Sequence, residues 1–219
     1  MRFDITDNVI IRALTKICDM VCLNVLWLIC CIPIITIGAS TTALYTIMLK
    51  MVKNEEGYIF RSFFKAFKEN FKQSTIIWII LLALGIICCL DYRLAGMMPE
   101  TAGFVMRSFF LLIAFFLLSV SIYAFALTAR YVNGIKATFR NALILTIAKL
   151  PYTLLMVVVT VGAVVVSLWN SVTLVFAIPL WLLIGGALIA WINSFLLRRV
   201  FLIFEDNSEN DENNTEEEG

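Results

Sequence analysis

Residues 23–45 read LNVLWLICCIPIITIGASTTALY, a run of 23 residues without a single charge. Pro33 and Gly38 interrupt its centre, and both residues favour a bend over a continuous helix. A helix needs roughly 20 apolar residues to cross a bilayer core of ~30 Å. The run therefore predicts a tight hairpin of two membrane helices, residues 16–37 and residues 38–51. The second is short, and a re-entrant course, which would leave five spans, is the alternative.

Four more apolar stretches follow, at residues 74–90, 108–129, 150–169 and 172–197. Over the whole chain 61% of the residues are hydrophobic, only 15% are charged, and the mean hydropathy is +0.93. A soluble fold of this composition would expose large apolar patches to water, which soluble monomers avoid. We expect an all-α polytopic transmembrane helix bundle of about six spans, arranged in helical hairpins with short cytoplasmic amphipathic helices.

The charges divide the chain into two parts. Residues 205–219, EDNSENDENNTEEEG, hold eight acidic residues, no basic residue and almost nothing apolar to bury. Such composition favours disorder, because like charges repel and no core can form. We expect an integral membrane helical domain at residues 1–204 and a disordered acidic cytoplasmic tail at residues 205–219. An acidic docking arm is the alternative interpretation of the tail.

The basic residues predict the orientation, because cytoplasmic loops of membrane proteins are enriched in Lys and Arg. With the N-terminus inside, only Arg93 and Arg107 of the 17 basic residues lie outside. The distribution favours an even number of crossings and two cytoplasmic termini. A cleavable signal peptide fits poorly, because Asp4 and Asp7 lie in the leading region and no A-x-A site follows the apolar run.

The sequence lacks the common catalytic signatures. It has no histidine, which excludes Ser-His-Asp and Cys-His nucleophiles and His-ligated zinc. It also lacks a P-loop and a GxGxxG motif. We expect no enzymatic activity, no cofactor and no metal site. The six cysteines lie within apolar runs as ordinary packing residues, and a disulfide between Cys30 or Cys31 and Cys88 or Cys89 is the alternative.

Polar residues inside apolar spans are costly, so each is a candidate for function. The candidates are Asp19, Asn24, Thr36, Thr41 and Thr42. Asp19 lies about one turn inside the first span, where Lys16 at i−3 can pair with it. A structural pair is the simpler role for Asp19, and a gating or partner contact is the alternative. For the other four, interhelical hydrogen bonds are the default role.

Residues 60–72, FRSFFKAFKENFK, have aromatic residues at helical spacing with basic residues beside them. Such a helix lies at the inner membrane interface, with its rings at the acyl boundary and its cations among anionic headgroups. Docking to a protein partner is the alternative, and nucleic acid is not an expected partner. A second basic segment, near residues 134–145, leads into the fifth span in the same way. The candidate lipid or partner contacts are Phe60, Arg61, Phe63, Phe64, Lys65, Phe67, Lys68, Phe71 and Lys72.

The hairpin LNVLWLICCIPIITIGASTTALY, followed by FFKAFKENFKQS at residues 63–74 and NALILTIAKLPYTLL at residues 141–155, resembles the YesL family. This is a family of uncharacterised integral membrane proteins of bacteria. The resemblance implies a multi-pass protein of the bacterial cell membrane with an accessory role in carbohydrate uptake. Composition and the basic aromatic segment predict the lipid bilayer and anionic inner-leaflet lipids as partners, and we expect a carbohydrate ABC transporter or a second copy of the chain as the protein partner.

Together these observations favour a non-enzymatic accessory or interaction protein. The alternative is a small-molecule secondary transporter or permease-like protein, in which polar side chains of the spans line a path.

Overall fold

The computed structural model describes residues 9–217 except Glu56, and it describes side chains for residue 11 and for residues 13–55 and 57–202. Every regular element in this part of the chain is a helix. The α-helices are α1 (Val9–Cys31), α2 (Ile37–Val52), α3 (Ile59–Ala95), α4 (Glu100–Arg130), α5 (Ile135–Ala148), α6 (Leu150–Leu168), α7 (Ser171–Leu180) and α8 (Gly186–Glu217). A 3-10 turn at Ile34–Thr36 precedes α2, and a π-helical segment at Trp181–Gly185 joins α7 to α8.

Six segments within the described residues are long and apolar enough to cross a membrane, which confirms the predicted all-α bundle with six candidate spans. They are Ala13–Cys31, Ile34–Val52, Ile59–Ala95, Glu100–Arg130, Leu150–Leu168 and Ser171–Leu202.

The first hairpin bends earlier than the sequence predicts. Helix α1 ends at Cys31 rather than at residue 37, because Pro33 disfavours helical backbone at the residue before it. The Thr36 hydroxyl donates to the carbonyls of Cys30 at 2.6 Å and Pro33 at 2.8 Å. The indole Nε1 of Trp78, in α3, donates to the carbonyl of Ile34 at 2.8 Å. Side chains thus satisfy the carbonyls that the turn leaves outside regular helix.

Helix α2 is the least apolar of the six segments and also the most buried, with 56% of its apolar window inside the protein. Its small residues allow the neighbouring helices to come close. An added Cβ at Gly38 would lie 2.4 Å from the carbonyl oxygen of Ser74 and 2.6 Å from Cβ of Trp78. A helix surrounded by protein does not need an apolar surface on every side. This explains why the hydropathy of α2 is lower than that of the other segments.

Helix α3 corrects one prediction. The basic aromatic residues 60–72 do not form a separate interfacial helix, because they are the first turns of a continuous helix of 37 residues. Residues 59–84 contain no proline or glycine, so nothing in the backbone ends the helix where the apolar part begins. The second basic segment does form its own helix, α5, which ends at Ala148, three residues before Pro151.

The last span, Ser171–Leu202, is broken in its first half. Pro179 lies inside α7, where it lacks the N–H that an α-helix needs, and the π-helical segment follows directly. Gly186, the first residue of α8, lies against the Trp27 ring so closely that a Cβ would come within 2.5 Å of Cζ3.

The backbone of α8 continues through Glu217, into the acidic segment for which the sequence predicts disorder. Residues 187–217 contain no proline or glycine, so the backbone meets no helix breaker there. Side chains beyond Leu202 lie outside the described residues, and so do residues 218–219. The division between a membrane domain and a tail therefore stays a prediction.

Candidate interaction surface

Large side chains from α1 to α6 and from α8 fill the centre of the described bundle. Leu23, Met48, Ile77 and Met156 are buried almost completely, and so is Tyr123. Tyr123 is also tied in place, because its hydroxyl lies 3.1 Å from Oγ1 of Thr153 in α6. Two cavities, one between α3 and α4 and one between α1 and α3, are open grooves at the surface of this packed centre.

Asn24 is fully buried and joins α1 to the break in the last span. Its side-chain Nδ2 donates to the carbonyls of Trp181 at 3.0 Å and Leu182 at 2.9 Å, and its Oδ1 accepts from the N–H of Ala187 at 2.9 Å. A π-helical segment leaves such backbone groups without their usual α-helical partners. Asn24 supplies those partners in a place that water does not reach.

The predicted threonines also make hydrogen bonds. Thr41 accepts from Nε1 of Trp27 at 3.3 Å, which links α2 to α1. The hydroxyls of Thr42 and Ser74 are 2.8 Å apart and fully buried, which links α2 to α3. Thr36 at the hairpin turn is hydrogen-bonded in the same way. Because these hydroxyls bond within the protein, few polar groups in these spans remain for a ligand.

Asp19 and Phe60, which the sequence suggests separately, line the same groove. This α1–α3 groove has a volume of about 800 Å³, within the ~300–1,000 Å³ of ligand pockets. It is lined by Asp19, Val21, Cys22, Val25, Leu26, Gly57, Tyr58, Ile59 and Phe60. Lys16 donates to Oδ1 of Asn54 at 2.6 Å, and both Lys16 and Asp19 make further interactions within the chain.

A second groove continues along the start of α3. This basic aromatic surface has a volume of about 410 Å³ and is lined by Phe60, Arg61, Phe64, Lys65 and Lys68. Phe60 belongs to both grooves, with its ring centroid 4.9 Å from that of Phe64. The two grooves therefore form one continuous surface, apolar beside α1 and cationic along α3. Lys65 also forms an exposed ion pair with Glu69 at 3.9 Å, a contact of little energetic weight.

The other predicted aromatic residues divide between the core and the surface. Phe63 is 0% exposed and belongs to the core, so it cannot contact lipid or a partner. Phe67 packs partly against the core, with its ring stacked at 6.3 Å from that of Phe63. Phe71 and Lys72 are exposed, one turn beyond the groove.

The sequence analysis missed Tyr58, which is 88% exposed and lines the α1–α3 groove. It directly precedes α3, and its carbonyl accepts from the N–H of Ser62 at 2.9 Å. The sequence offered one indication of its role, because Tyr58 is an aromatic residue directly before the basic aromatic segment. Its proximity to α1 depends on the tertiary fold.

Comparison with known proteins places this surface in a recognised segment. Residues 20–92 match a family described as "Protein of unknown function, DUF624". The chain is 25% identical to "Uncharacterized protein YesL" of Bacillus subtilis (strain 168) over 158 residues, which cover 70% of this chain and 74% of YesL. The predicted resemblance to YesL is confirmed. A second B. subtilis relative, "Uncharacterized protein YteU", is 26% identical over 144 residues, 64% of either chain.

No solved structure matches the chain. The segment of residues 20–92 runs from α1 through the hairpin and α2 to near the end of α3. It contains every lining residue of the two grooves except Asp19, which precedes it by one position. The candidate surface therefore lies in the part of the chain that matches the family of unknown function.

Proposed function

We propose that this chain is a non-enzymatic accessory protein of the bacterial cell membrane. In this proposal both termini are cytoplasmic, and the chain binds another membrane component through the α1–α3 groove and the basic aromatic surface. One observation carries the proposal: Asp19 and Phe60, from helices far apart in the sequence, line a single open groove next to Arg61, Lys65 and Lys68.

The chemistry of this surface suggests the kind of partner. An apolar groove beside α1 suits the apolar face of a partner helix that lies at the inner membrane interface. The three bases beside that groove suit acidic residues on the same partner helix. The partner we propose is a subunit of a carbohydrate importer, which rests on the resemblance to the YesL family. Anionic lipids of the inner leaflet would occupy the basic positions when no partner is bound.

A secondary transporter is the second candidate, and the broken last span favours it. Transporters often form their substrate sites at discontinuous helices. Two adjacent buried groups in α8, Oδ1 of Asn193 and the hydroxyl of Ser194, have no well-formed hydrogen bond within the described residues, although Asn193 contacts Tyr45. Against this candidate, Asn24 already uses its donors and acceptor on the helix break, and large apolar side chains fill the centre.

Site-specific photocrosslinking in native membranes tests the accessory function. A photoreactive amino acid at Tyr58 or Phe60 should yield a discrete adduct with a transporter subunit, identified by mass spectrometry. Phe104 is the matched control, because it is an aromatic residue of α4 that is 74% exposed. Substituting Arg61, Lys65 and Lys68 together by Gln should weaken the adduct at Tyr58.

Two results would contradict this proposal. Equal protein adducts from Tyr58 and Phe104 would show that the groove has no selectivity, and lipid adducts alone would show that no protein occupies it. Specific solute uptake by the purified chain in liposomes would support the transporter instead.

A further inference from the structure

We infer that α1 and α2 form a re-entrant hairpin, whose tip ends inside the hydrocarbon layer and does not reach the outer aqueous face. The inference is independent of the proposed function. It rests on the position of the tip along α3, on the charges of α3, and on the hydrogen bonds of the tip.

The tip contacts α3 near its middle. Trp78 donates to the Ile34 carbonyl, and Gly38 lies against Ser74 and Trp78. From Trp78 the helix continues for 17 residues to Ala95, which is about 26 Å at 1.5 Å per residue. Helix α3 therefore extends well beyond the hairpin tip.

The part of α3 beyond the tip needs hydrocarbon around it. Its exposed side chains include Ile79, Leu84, Ile87 and Leu90, and the next charge is Asp91. A further groove of about 560 Å³ opens there between α3 and α4, lined by apolar residues from Trp78 to Tyr92 on α3. Lipid is the solvent that suits such a surface.

The part of α3 beside the hairpin cannot lie deep in hydrocarbon. It carries Arg61, Lys65, Lys68, Glu69 and Lys72, all of them exposed. Raising the hairpin tip to the outer face would move these charges toward the membrane centre, where ionised groups are costly. The same shift would push the apolar part of α3 into water. A hairpin that stops within the bilayer avoids both costs.

The composition and the hydrogen bonds of the tip suit a lipid environment. Residues 30–37, CCIPIITI, contain no charge, and Ile32 and Ile35 are 78% and 61% exposed. Backbone outside regular helix is tolerated at membrane depth only if its polar groups are satisfied. The carbonyls of Cys30, Pro33 and Ile34 accept from Thr36 and Trp78. In water, solvent could satisfy these carbonyls instead.

Depth measurement by spin labelling tests the inference in the full chain, with native cysteines replaced and reconstituted in liposomes. A label at I35C should be at least fivefold more accessible to oxygen than to a water-soluble nickel chelate. I87C on α3 is the reference within hydrocarbon, because Ile87 has a similar exposure of 55%. M97C, at an exposed position between α3 and α4, is the aqueous reference.

The ratio for I35C should equal that of I87C and should exceed that of M97C. A membrane-impermeant maleimide should likewise label M97C at least tenfold faster than I35C from the outer side. If I35C gives the M97C ratio or is labelled as quickly as M97C, the hairpin crosses fully and the inference is wrong. Labelling of I32C, on the other side of Pro33, repeats the test if I35C disturbs the fold.

Discussion

The side-chain oxygen of Asn24 accepts a hydrogen bond from the backbone N–H of Ala187, 163 residues later in the chain, at 2.9 Å. The same amide donates to two carbonyls of the π-helical segment. A helix break inside a membrane protein is stable only if another group satisfies its backbone. In this chain, α1 and the last span are therefore stable as a pair.

Substituting Asn24→Leu should destabilise the bundle by about 2–4 kcal/mol, because buried carbonyls and an N–H lose their partners. Unfolding by SDS titration in mixed micelles measures this change. Cys18→Leu is the control on the same helix, since Cys18 is exposed and should tolerate the change. Equal stability of the two variants would show that the break does not need Asn24.

Gly38→Ala should destabilise the chain by about 1–3 kcal/mol, because the new methyl group meets the backbone of Ser74 at 2.4 Å and forces α2 away from α3. Gly85→Ala is the matched control, with no atom within 4 Å of the added methyl group. This control should be neutral or slightly stabilising, since Ala favours helix over Gly. The same SDS titration compares both variants, and a neutral Gly38→Ala would refute the close approach.

Thr42 and Ser74 should be energetically coupled, because their hydroxyls are each other's buried partners. A double-mutant cycle with Thr42→Val and Ser74→Ala should give a coupling of about 0.6 kcal/mol, with an upper limit near 1.7 kcal/mol. The cycle is measured by SDS unfolding of the four chains. Strictly additive effects would argue against the hydrogen bond.

Phe63 and Phe60 should respond differently to truncation, although both are aromatic residues at the start of α3. Phe63→Ala should cost about 3–5 kcal/mol, since the ring is fully buried. Phe60→Ala should change stability by less than about 1 kcal/mol, because the ring is 66% exposed. SDS unfolding measures the first effect, and photocrosslinking from Tyr58 measures any loss of partner binding in the second.

The orientation can be tested at two loops. With native cysteines replaced, V132C should react with a membrane-impermeant maleimide only after the cells are opened, whereas M97C should react in intact cells. Both positions are exposed, and the positive-inside rule places the first on the cytoplasmic side. Reaction of V132C in intact cells would reverse the proposed orientation.

Much of the fold can be predicted from the sequence, because apolar runs of sufficient length have few alternatives to a membrane helix. The bend at Pro33 could also be predicted. The continuity of α3 could not, since no residue near the end of the basic segment marks a boundary between water and lipid. The high burial of α2 could not be predicted either, because its small residues show close packing only once the neighbouring helices are in place.

The candidate surface was predictable in parts. Phe60 and its basic neighbours could be recognised from helical spacing, and Asp19 from its cost in an apolar span. Their convergence depends on how α1 packs against the start of α3, and no local pattern encodes that packing. The same holds for Asn24, whose partners lie in another hairpin.

The π-helical segment at Trp181–Gly185 has a consequence for how the last span can vary. A π-helical turn holds about one residue more than an α-helical turn, so deleting one residue from this segment would restore an α-helical turn and leave α8 facing almost the same way. Ala190, Asn193 and Leu197 would stay against the core, whereas a one-residue deletion in regular α-helix would rotate the residues beyond it by about 100°. The π-helical segment therefore absorbs one residue without changing the rotational register of α8.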